Sequence, residues 1–212
     1  MSFAALFTTA FLVGFSGAAA PGPLLTLTIG RAIRQGAIAG PLIVLGHAVL
    51  EIATIVGIIY GLGYYLQLPA VTRTIAVMGG CVLGLMGLQM IKNWRSICFS
   101  HEGTAYSGKT SNFMGSVISG FVGSISNPYW FLWWATIGAA FLSQGIQKGW
   151  MGVGVFFTGH ILADLVWYSM VAFSLAAGRK LFTNKQYQVL FLCCGIFMVC
   201  LSAYFIWSGA VG

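Results

Sequence analysis

Long apolar stretches separated by short charged clusters run the whole length of the chain. They cover residues 4–29, 37–66, 74–92, 113–142, 150–177 and 187–208. A helix needs about 20 apolar residues to cross the hydrocarbon core of a bilayer. The pattern therefore predicts an all-α membrane protein with six transmembrane helices joined by short loops.

The composition excludes a soluble domain. Of the 212 residues, 58% are hydrophobic and 6% are charged, whereas soluble domains carry about 25% charged residues. The net charge of +7 arises because only 3 acidic residues stand against 10 Lys and Arg, so it does not indicate a nucleic-acid partner. We predict that the lipid bilayer surrounds the chain and that the protein binds no nucleic acid.

Basic residues are distributed unequally between the two sides of the predicted membrane. The first, third and fifth loops hold eight of them, and the other loops hold two, Arg73 and Lys148. Because Lys and Arg accumulate in cytoplasmic loops, the bias predicts a protein of the cytoplasmic (inner) membrane with both termini on the non-cytoplasmic side.

Two motifs occur once in each half of the chain. Gly-Phe-x-Gly at residues 14–17 and 120–123 precedes a proline motif, and Gly-His-x-x-x-acid occurs at residues 46–51 and 159–164. Each half holds three predicted helices, so two such copies in tandem insert with opposite orientation. The motifs predict two inverted three-helix repeats with a substrate site at their interface.

The apolar segments set the boundaries of these repeats. The first covers residues 1–92, a cytoplasmic connecting loop covers residues 93–112, and the second covers residues 113–212. Residues 103–110 of the loop match the P-loop pattern, but a P-loop joins a buried strand to a helix, for which this loop has no room. We therefore predict no nucleotide and no cofactor.

Two of the three acidic residues, Glu51 and Asp164, lie in the middle of apolar segments. An acid there costs ~2.5–3.5 kcal/mol on translocon scales. His47 and His160 precede them by four residues, which places imidazole and carboxylate on one helical face. We predict that the acids bind a substrate ammonium group or carry protons, and that the histidines take part in proton coupling. The structural alternative is a hydrogen-bonded pair that orients each acid in a helix interface.

Other chemistries are open to the same residue types. Two histidines and two carboxylates suit Zn²⁺, so a divalent-metal exporter with His47, Glu51, His160 and Asp164 as ligands is an alternative. An intramembrane enzyme or a redox conduit is not favoured, because no nucleophile stands beside a base and the five cysteines form no CxxC. We predict that the protein is not an enzyme.

Prolines interrupt the first and fourth apolar segments, at Pro21-Gly22-Pro23 and at Asn127-Pro128. Proline inside a helix removes a hydrogen bond and clashes with the preceding turn. Asn127 suits an N-cap and Pro128 the first helical position, and Gly22 and Pro23 can take the same places. We predict that both helices break there and that the free amides of new half-helices face a substrate carboxylate. The tryptophans that follow are interpreted as packing residues: Trp130, Trp133 and Trp134.

These features resemble the LysE/RhtB family of amino-acid exporters. The resemblance is carried by Pro21-Gly22-Pro23, by the glycines downstream of it and by Asn127-Pro128 in a short six-span chain, and it covers nearly the whole chain. It implies efflux of amino acids or related small molecules driven by a proton or ion gradient. It also implies substrate-binding roles for Pro21, Gly22, Pro23, Asn127 and Pro128, whereas the histidine roles are inferred from this sequence alone.

Taken together, the residues predict an exporter of zwitterionic or cationic amino acids. Broken-helix amides would meet the anionic group, and Glu51 or Asp164 would meet the cationic group. The expected partners are the amino-acid substrate and the bilayer, and a homodimer is the oligomeric form considered.

Overall fold

The computed structural model is helical throughout the part of the chain that it describes, residues 1–20, 22–66, 68–96, 113–178 and 183–211. Pro21, the P-loop match and most of the connecting loop lie outside these residues. The α-helices in the described ranges are α1 (Phe3–Ala18), α2 (Pro23–Gln35), α3 (Ala39–Ile59), α4 (Leu62–Leu66), α5 (Pro69–Asn93), α6 (Phe113–Ile125), α7 (Pro128–Trp133), α8 (Ala139–Ile146), α9 (Gly149–Ala177) and α10 (Asn184–Val211). A π-helical turn, Trp134–Gly138, joins α7 to α8.

Four of the helices are long and apolar enough to cross a membrane: α3, α5, α9 and the part of α10 from Gln188 to Val211. α1 and α2 pass the same test together, as one span bent by 75°. α6 has 13 residues and rises about 20 Å, less than the ~30 Å hydrocarbon core. Three of the six predicted apolar segments each correspond to one continuous helix, the second holds α3 followed by the short α4, and the first and fourth are broken. The exact six-span inverted repeat stays a prediction.

Both predicted helix breaks are confirmed. α1 ends at Ala18 and α2 begins at Pro23, with Gly22 as its N-cap residue. α6 ends at Ile125 and α7 begins at Pro128, and the Asn127 Oδ1 atom accepts a hydrogen bond from the Tyr129 N–H at 3.1 Å. Proline suits the first helical position because its missing N–H would have no partner there.

The two halves pack across each other. The first helix of each half contacts the second helix of the other half: α1 packs on α9 and α6 packs on α3. A Cβ atom at Gly159 would stand 2.6 Å from the Phe7 carbonyl oxygen, and one at Gly46 would clash with the Val117 carbonyl oxygen. Glycine at these two positions therefore allows the backbones to approach closely.

Two further contacts join equivalent helices of the halves. α3 packs directly on α9, and α5 packs on α10. The α5–α10 pair encloses an apolar cluster of buried side chains from Ala76, Leu83, Met90, Met198 and Phe205. α7 contacts this pair as well, because Pro128 packs on Gly79 of α5.

Candidate functional site

Four titratable side chains meet where α3 crosses α9. They form a cluster that we call the tetrad, His47, Glu51, His160 and Asp164, and their potential ligand atoms all lie within 4.8 Å of one another. Each of the four residues is at most 5% exposed. The i, i+4 spacing aligns each histidine with its own acid, and the contact between α3 and α9 brings the two pairs together.

Histidine and acid alternate around the tetrad. Glu51 Oε1 lies 3.1 Å from His47 Nε2 and 2.9 Å from His160 Nε2. Asp164 Oδ2 lies farther away, 3.4 Å from His47 Nε2 and 3.8 Å from His160 Nε2. Glu51 is therefore the more tightly held acid, and Asp164 is the one with more freedom to bind another group.

Ser124 of α6 sets the orientation of His47. Its hydroxyl donates to the Gly120 carbonyl oxygen at 2.7 Å, and its oxygen also lies 2.7 Å from His47 Nδ1. A carbonyl oxygen only accepts, so the single hydroxyl hydrogen is used there and His47 Nδ1 must donate to the serine oxygen. This leaves His47 Nε2 directed at both acids.

His160 has a different environment. Its ring stacks on Trp133, with ring centroids 4.5 Å apart, and Phe156 stacks in parallel at 6.1 Å. Its Nδ1 atom is buried and has no hydrogen-bond partner among the described residues. When the two Gly-Phe-x-Gly motifs are aligned, Gly14 and Ala18 of α1 correspond to Gly120 and Ser124, so α1 carries no hydroxyl at the position that corresponds to Ser124.

A small cavity adjoins the tetrad. Its volume is about 60 Å³, enough for water to reach the tetrad. Its walls also include Leu24, Ser124, Asn127, Trp133 and Tyr168. Tyr168 reaches the end of α1, where its hydroxyl donates to the Ala18 carbonyl oxygen at 3.3 Å.

The starts of the two half-helices meet beside this cavity. A Cβ atom at Gly22, before α2, would lie 3.7 Å from Asn127 Nδ2, before α7. Both prolines that follow, Pro23 and Pro128, are fully buried. Of the residues proposed from the sequence, the tetrad and Asn127 line the cavity. Gly22 lies next to Asn127, Pro23 and Pro128 begin the half-helices behind it, and Pro21 lies outside the described residues.

Three buried atoms of the tetrad lack hydrogen-bond partners among the described residues: Glu51 Oε2, Asp164 Oδ2 and His160 Nδ1. A buried polar atom is costly unless it is hydrogen-bonded. The site thus offers two carboxylate oxygens and one imidazole nitrogen to a proton, an ammonium group or a cation.

Some residues of the site do not stand out in the sequence. Ser124 and Tyr168 are single polar residues in apolar helices, and no spacing marks them. Trp133 is interpreted above as a packing residue; it is buried, and it also stacks on His160. The π-helical turn that begins at Trp134 is a further signal, because such turns are frequent at functional sites.

Broken helices around a buried polar cavity, in a chain of long apolar helices, define a polytopic membrane transporter. The family model described as LysE type translocator matches residues 15–209, and the chain therefore belongs to that family. Its members are transporters and not enzymes.

Two curated relatives cover nearly the whole chain. The Bacillus subtilis (strain 168) protein named "Putative amino acid efflux protein YcgF" is 25% identical over 205 residues, 96% of each chain. The Pseudomonas aeruginosa protein named "Chemotactic transduction protein ChpE" is 24% identical over 198 residues, 92% of this chain and 94% of the relative. No solved structure matches the chain with statistical significance.

Proposed function

We propose that the protein exports amino acids, or related small zwitterionic or cationic metabolites, across the cytoplasmic membrane, and that the tetrad couples export to a proton or ion gradient. The main observation behind the proposal is that Glu51 of α3 and Asp164 of α9 lie close together, both buried, beside a small polar cavity. The family and the name of the Bacillus relative support amino-acid efflux.

The acids have competing roles in this proposal, as ammonium acceptors and as proton carriers. Asp164 is held less closely by the histidines, which favours it as the ammonium acceptor. Glu51 contacts both histidines, which favours it as the proton carrier. A proton on the tetrad and an ammonium group at Asp164 then compete for the same negative charge, and this competition couples the two fluxes.

The helix breaks supply the complementary group for a substrate carboxylate. The first backbone bond of α2 runs from the Thr26 N–H to the Gly22 carbonyl oxygen, so the preceding amides have no intrahelical acceptor. The Asn127 Nδ2 group lies next to Gly22. In the proposed site these donors face the carboxylate, while Pro23 and Pro128 begin the new half-helices; Pro21 is included among the substrate-binding residues from the sequence alone.

The inverted repeat and the orientation are part of the same proposal. The reciprocal packing of α1 on α9 and of α6 on α3 supports an inverted repeat, and the distribution of Lys and Arg supports non-cytoplasmic termini. A homodimer stays a prediction from the sequence.

The test uses Glu51→Gln and Asp164→Asn in reconstituted vesicles. Each variant keeps the shape of the side chain and removes its charge. We expect the variant without the proton carrier, Glu51→Gln in this proposal, to lose net transport driven by a gradient. The same variant should retain exchange between two amino-acid pools. Arg73→Gln, at the exposed start of α5, serves as the control. Unchanged net transport in both acid variants would contradict the assignment.

The alternative, a divalent-metal exporter, is favoured by one specific observation. Tetrahedral Zn²⁺ with bonds of about 2.0–2.1 Å holds its ligand atoms about 3.3 Å apart, and the four histidine-to-acid distances run from 2.9 to 3.8 Å. Titration with Zn²⁺ and Cd²⁺ separates the candidates. Stoichiometric binding that is lost in His47→Ala and His160→Ala supports metal export, and no binding rejects it.

A further inference from the structure

A second and larger cavity lies between α2, α5 and α10, at the end of the molecule where α2 and α5 finish. It has about 570 Å³ of space for water-sized molecules, within the usual size of small-molecule sites. Its polar walls come from Arg31, Arg34, Gln89 and Asn93, and its apolar walls include Met86 and Phe191. We call this cavity the basic vestibule.

The two arginines of the basic vestibule have no described acidic partner. The chain has three acidic side chains; Glu51 and Asp164 both lie in the tetrad, and Glu102 is outside the described residues. Arg31 donates to Ser119 Oγ at 2.9 Å, a neutral group that orients the guanidinium without cancelling its charge. Guanidinium groups match carboxylates in geometry, so the two arginines can bind an anion that enters the vestibule.

The basic vestibule and the tetrad cavity share a wall. Leu24 of α2 faces the tetrad cavity, while Thr26 and Leu27 of the same helix face the vestibule. At 1.5 Å per residue, these positions are about 3–5 Å apart along the helix axis. Less than one turn of α2 therefore separates the two cavities.

We propose that the basic vestibule is the cytoplasmic entry site of the exporter and that Arg31 and Arg34 bind the carboxylate of the incoming amino acid. This inference rests on the proposed function and on the proposed orientation, and it narrows the substrate class. Two arginines that have no acidic partner among the described residues attract a carboxylate and repel a cation. The substrates are therefore amino acids without net positive charge, and cationic amino acids and divalent metals are disfavoured at entry.

The transport test uses inside-out membrane vesicles, in which the cytoplasmic face is outside. A mixture of the twenty protein amino acids is supplied, and the accumulated ones are measured by mass spectrometry. We expect the wild type to accumulate neutral amino acids in preference to lysine and arginine. Arg31→Gln with Arg34→Gln should raise KM for the accumulated amino acids by about three- to tenfold, with kcat within about twofold of wild type.

Three variants make this result specific. Arg31→Lys with Arg34→Lys keeps the positive charges and should restore most of the affinity. Arg34→Gln alone changes an exposed side chain, so it tests the site even where loss of the Arg31–Ser119 contact disturbs folding. Arg73→Gln, an exposed arginine on α5 remote from the vestibule, should leave KM unchanged.

A binding test separates entry of substrate from binding of an anionic lipid. Sodium butyrate is the carboxylate probe, and butylammonium chloride is its cationic counterpart. Butyrate should raise the melting temperature of the wild type by a few degrees. The double glutamine variant should show a clearly smaller butyrate shift, whereas its shift with butylammonium, which binds at Asp164 in the proposed site, should equal that of the wild type. The rise in melting temperature with butyrate should persist in nanodiscs of phosphatidylglycerol. If it is suppressed there, a lipid phosphate occupies the arginines and the inference is overturned.

The possible failures are distinguishable. If the wild type accumulates no amino acid, both the proposed function and the proposed entry site are wrong. If the wild type accumulates neutral amino acids while the double glutamine variant keeps its KM, only the entry site is wrong. Preference for lysine and arginine over neutral amino acids also overturns the entry site and leaves export intact.

Discussion

The two contacts between equivalent helices differ in kind. Where α3 meets α9, two histidines and two acids face each other. Where α5 meets α10, glycines allow close approach, since a Cβ at Gly87 would stand 2.8 Å from the Gly195 carbonyl oxygen. Small residues at helix contacts stabilise membrane bundles by packing. The described part of the α5–α10 contact is thus held mainly by close packing, with one hydrogen bond from the Ser202 hydroxyl to the Gly80 carbonyl oxygen.

The difference indicates what the tetrad contributes. Replacing a buried charged cluster with apolar side chains is often neutral or stabilising, so stability alone does not explain the tetrad. Its burial beside a polar cavity fits a role in transport instead. We therefore propose that the α3–α9 contact serves transport and that the α5–α10 pair serves stability.

The largest effect on stability is expected at the α5–α10 contact. Gly87→Leu places side-chain atoms against the backbone of α10, and overpacking of this kind costs about 1–3 kcal/mol. Unfolding in SDS, followed by circular dichroism, measures the loss. Gly154→Leu is the matched control, because a Cβ at Gly154 meets nothing within 4 Å. Equal stability of the two variants would remove the basis for the comparison.

Two buried serines allow a sharper test of the assignment. Ser124 donates to the Gly120 carbonyl oxygen and also accepts from His47, whereas Ser202 of α10 donates to the Gly80 carbonyl oxygen of α5 at 2.7 Å. Ser124→Ala should reduce transport about tenfold, because the buried His47 Nδ1 loses its acceptor.

Ser202→Ala provides the contrast. It removes a buried hydroxyl of the same kind, so we expect a similar loss of stability, about 1 kcal/mol, with transport within about twofold of wild type. Equal transport losses in the two alanine variants would show that the serines act through general stability and not through His47.

A smaller effect is expected from adding a hydroxyl on the side of His160. Ala18→Ser makes α1 match α6 at the position of Ser124, where the new hydroxyl can accept from His160 Nδ1. We expect a stability gain of about 0.5–1.5 kcal/mol and transport slowed a few-fold, because the ring loses a nitrogen that is free to bind substrate. Ala4→Ser, on the exposed face of α1, is the control. Faster transport would contradict this account of His160.

The smallest effect is expected from the cysteines. The described ones lie on α5 and α10, and Cys81, Cys193 and Cys200 are exposed. Replacing all five cysteines with Ala should leave vesicle transport within about twofold of wild type, because none of the described ones lines either cavity. Loss of transport in that variant would support the alternative of a redox conduit.

Much of the fold was predictable from local patterns. Apolar length marks the spans, and Pro23 and Asn127-Pro128 mark helix starts, because these features act within a single segment. The i, i+4 spacing likewise predicts that each histidine shares a face with its acid.

Contacts between helices were less predictable. That His47 meets Ser124 depends on how α6 lies on α3, which the close approach at Gly46 determines. The sequence marks Gly46 as part of the repeated Gly-His-x-x-x-acid motif, but it does not show which helix approaches there. The basic vestibule likewise depends on how three helices pack together. The sequence alone therefore indicates only that Arg31 and Arg34 are charges of the first loop.

The most direct test of the central claim is proton movement itself. A pH-sensitive dye trapped in reconstituted vesicles reports protons that move when an exported amino acid is added. The account predicts amino-acid-dependent proton flux in the wild type and its loss in Glu51→Gln, while exchange of labelled amino acid continues. Undiminished proton flux in both Glu51→Gln and Asp164→Asn would contradict the claim that the tetrad couples the two movements.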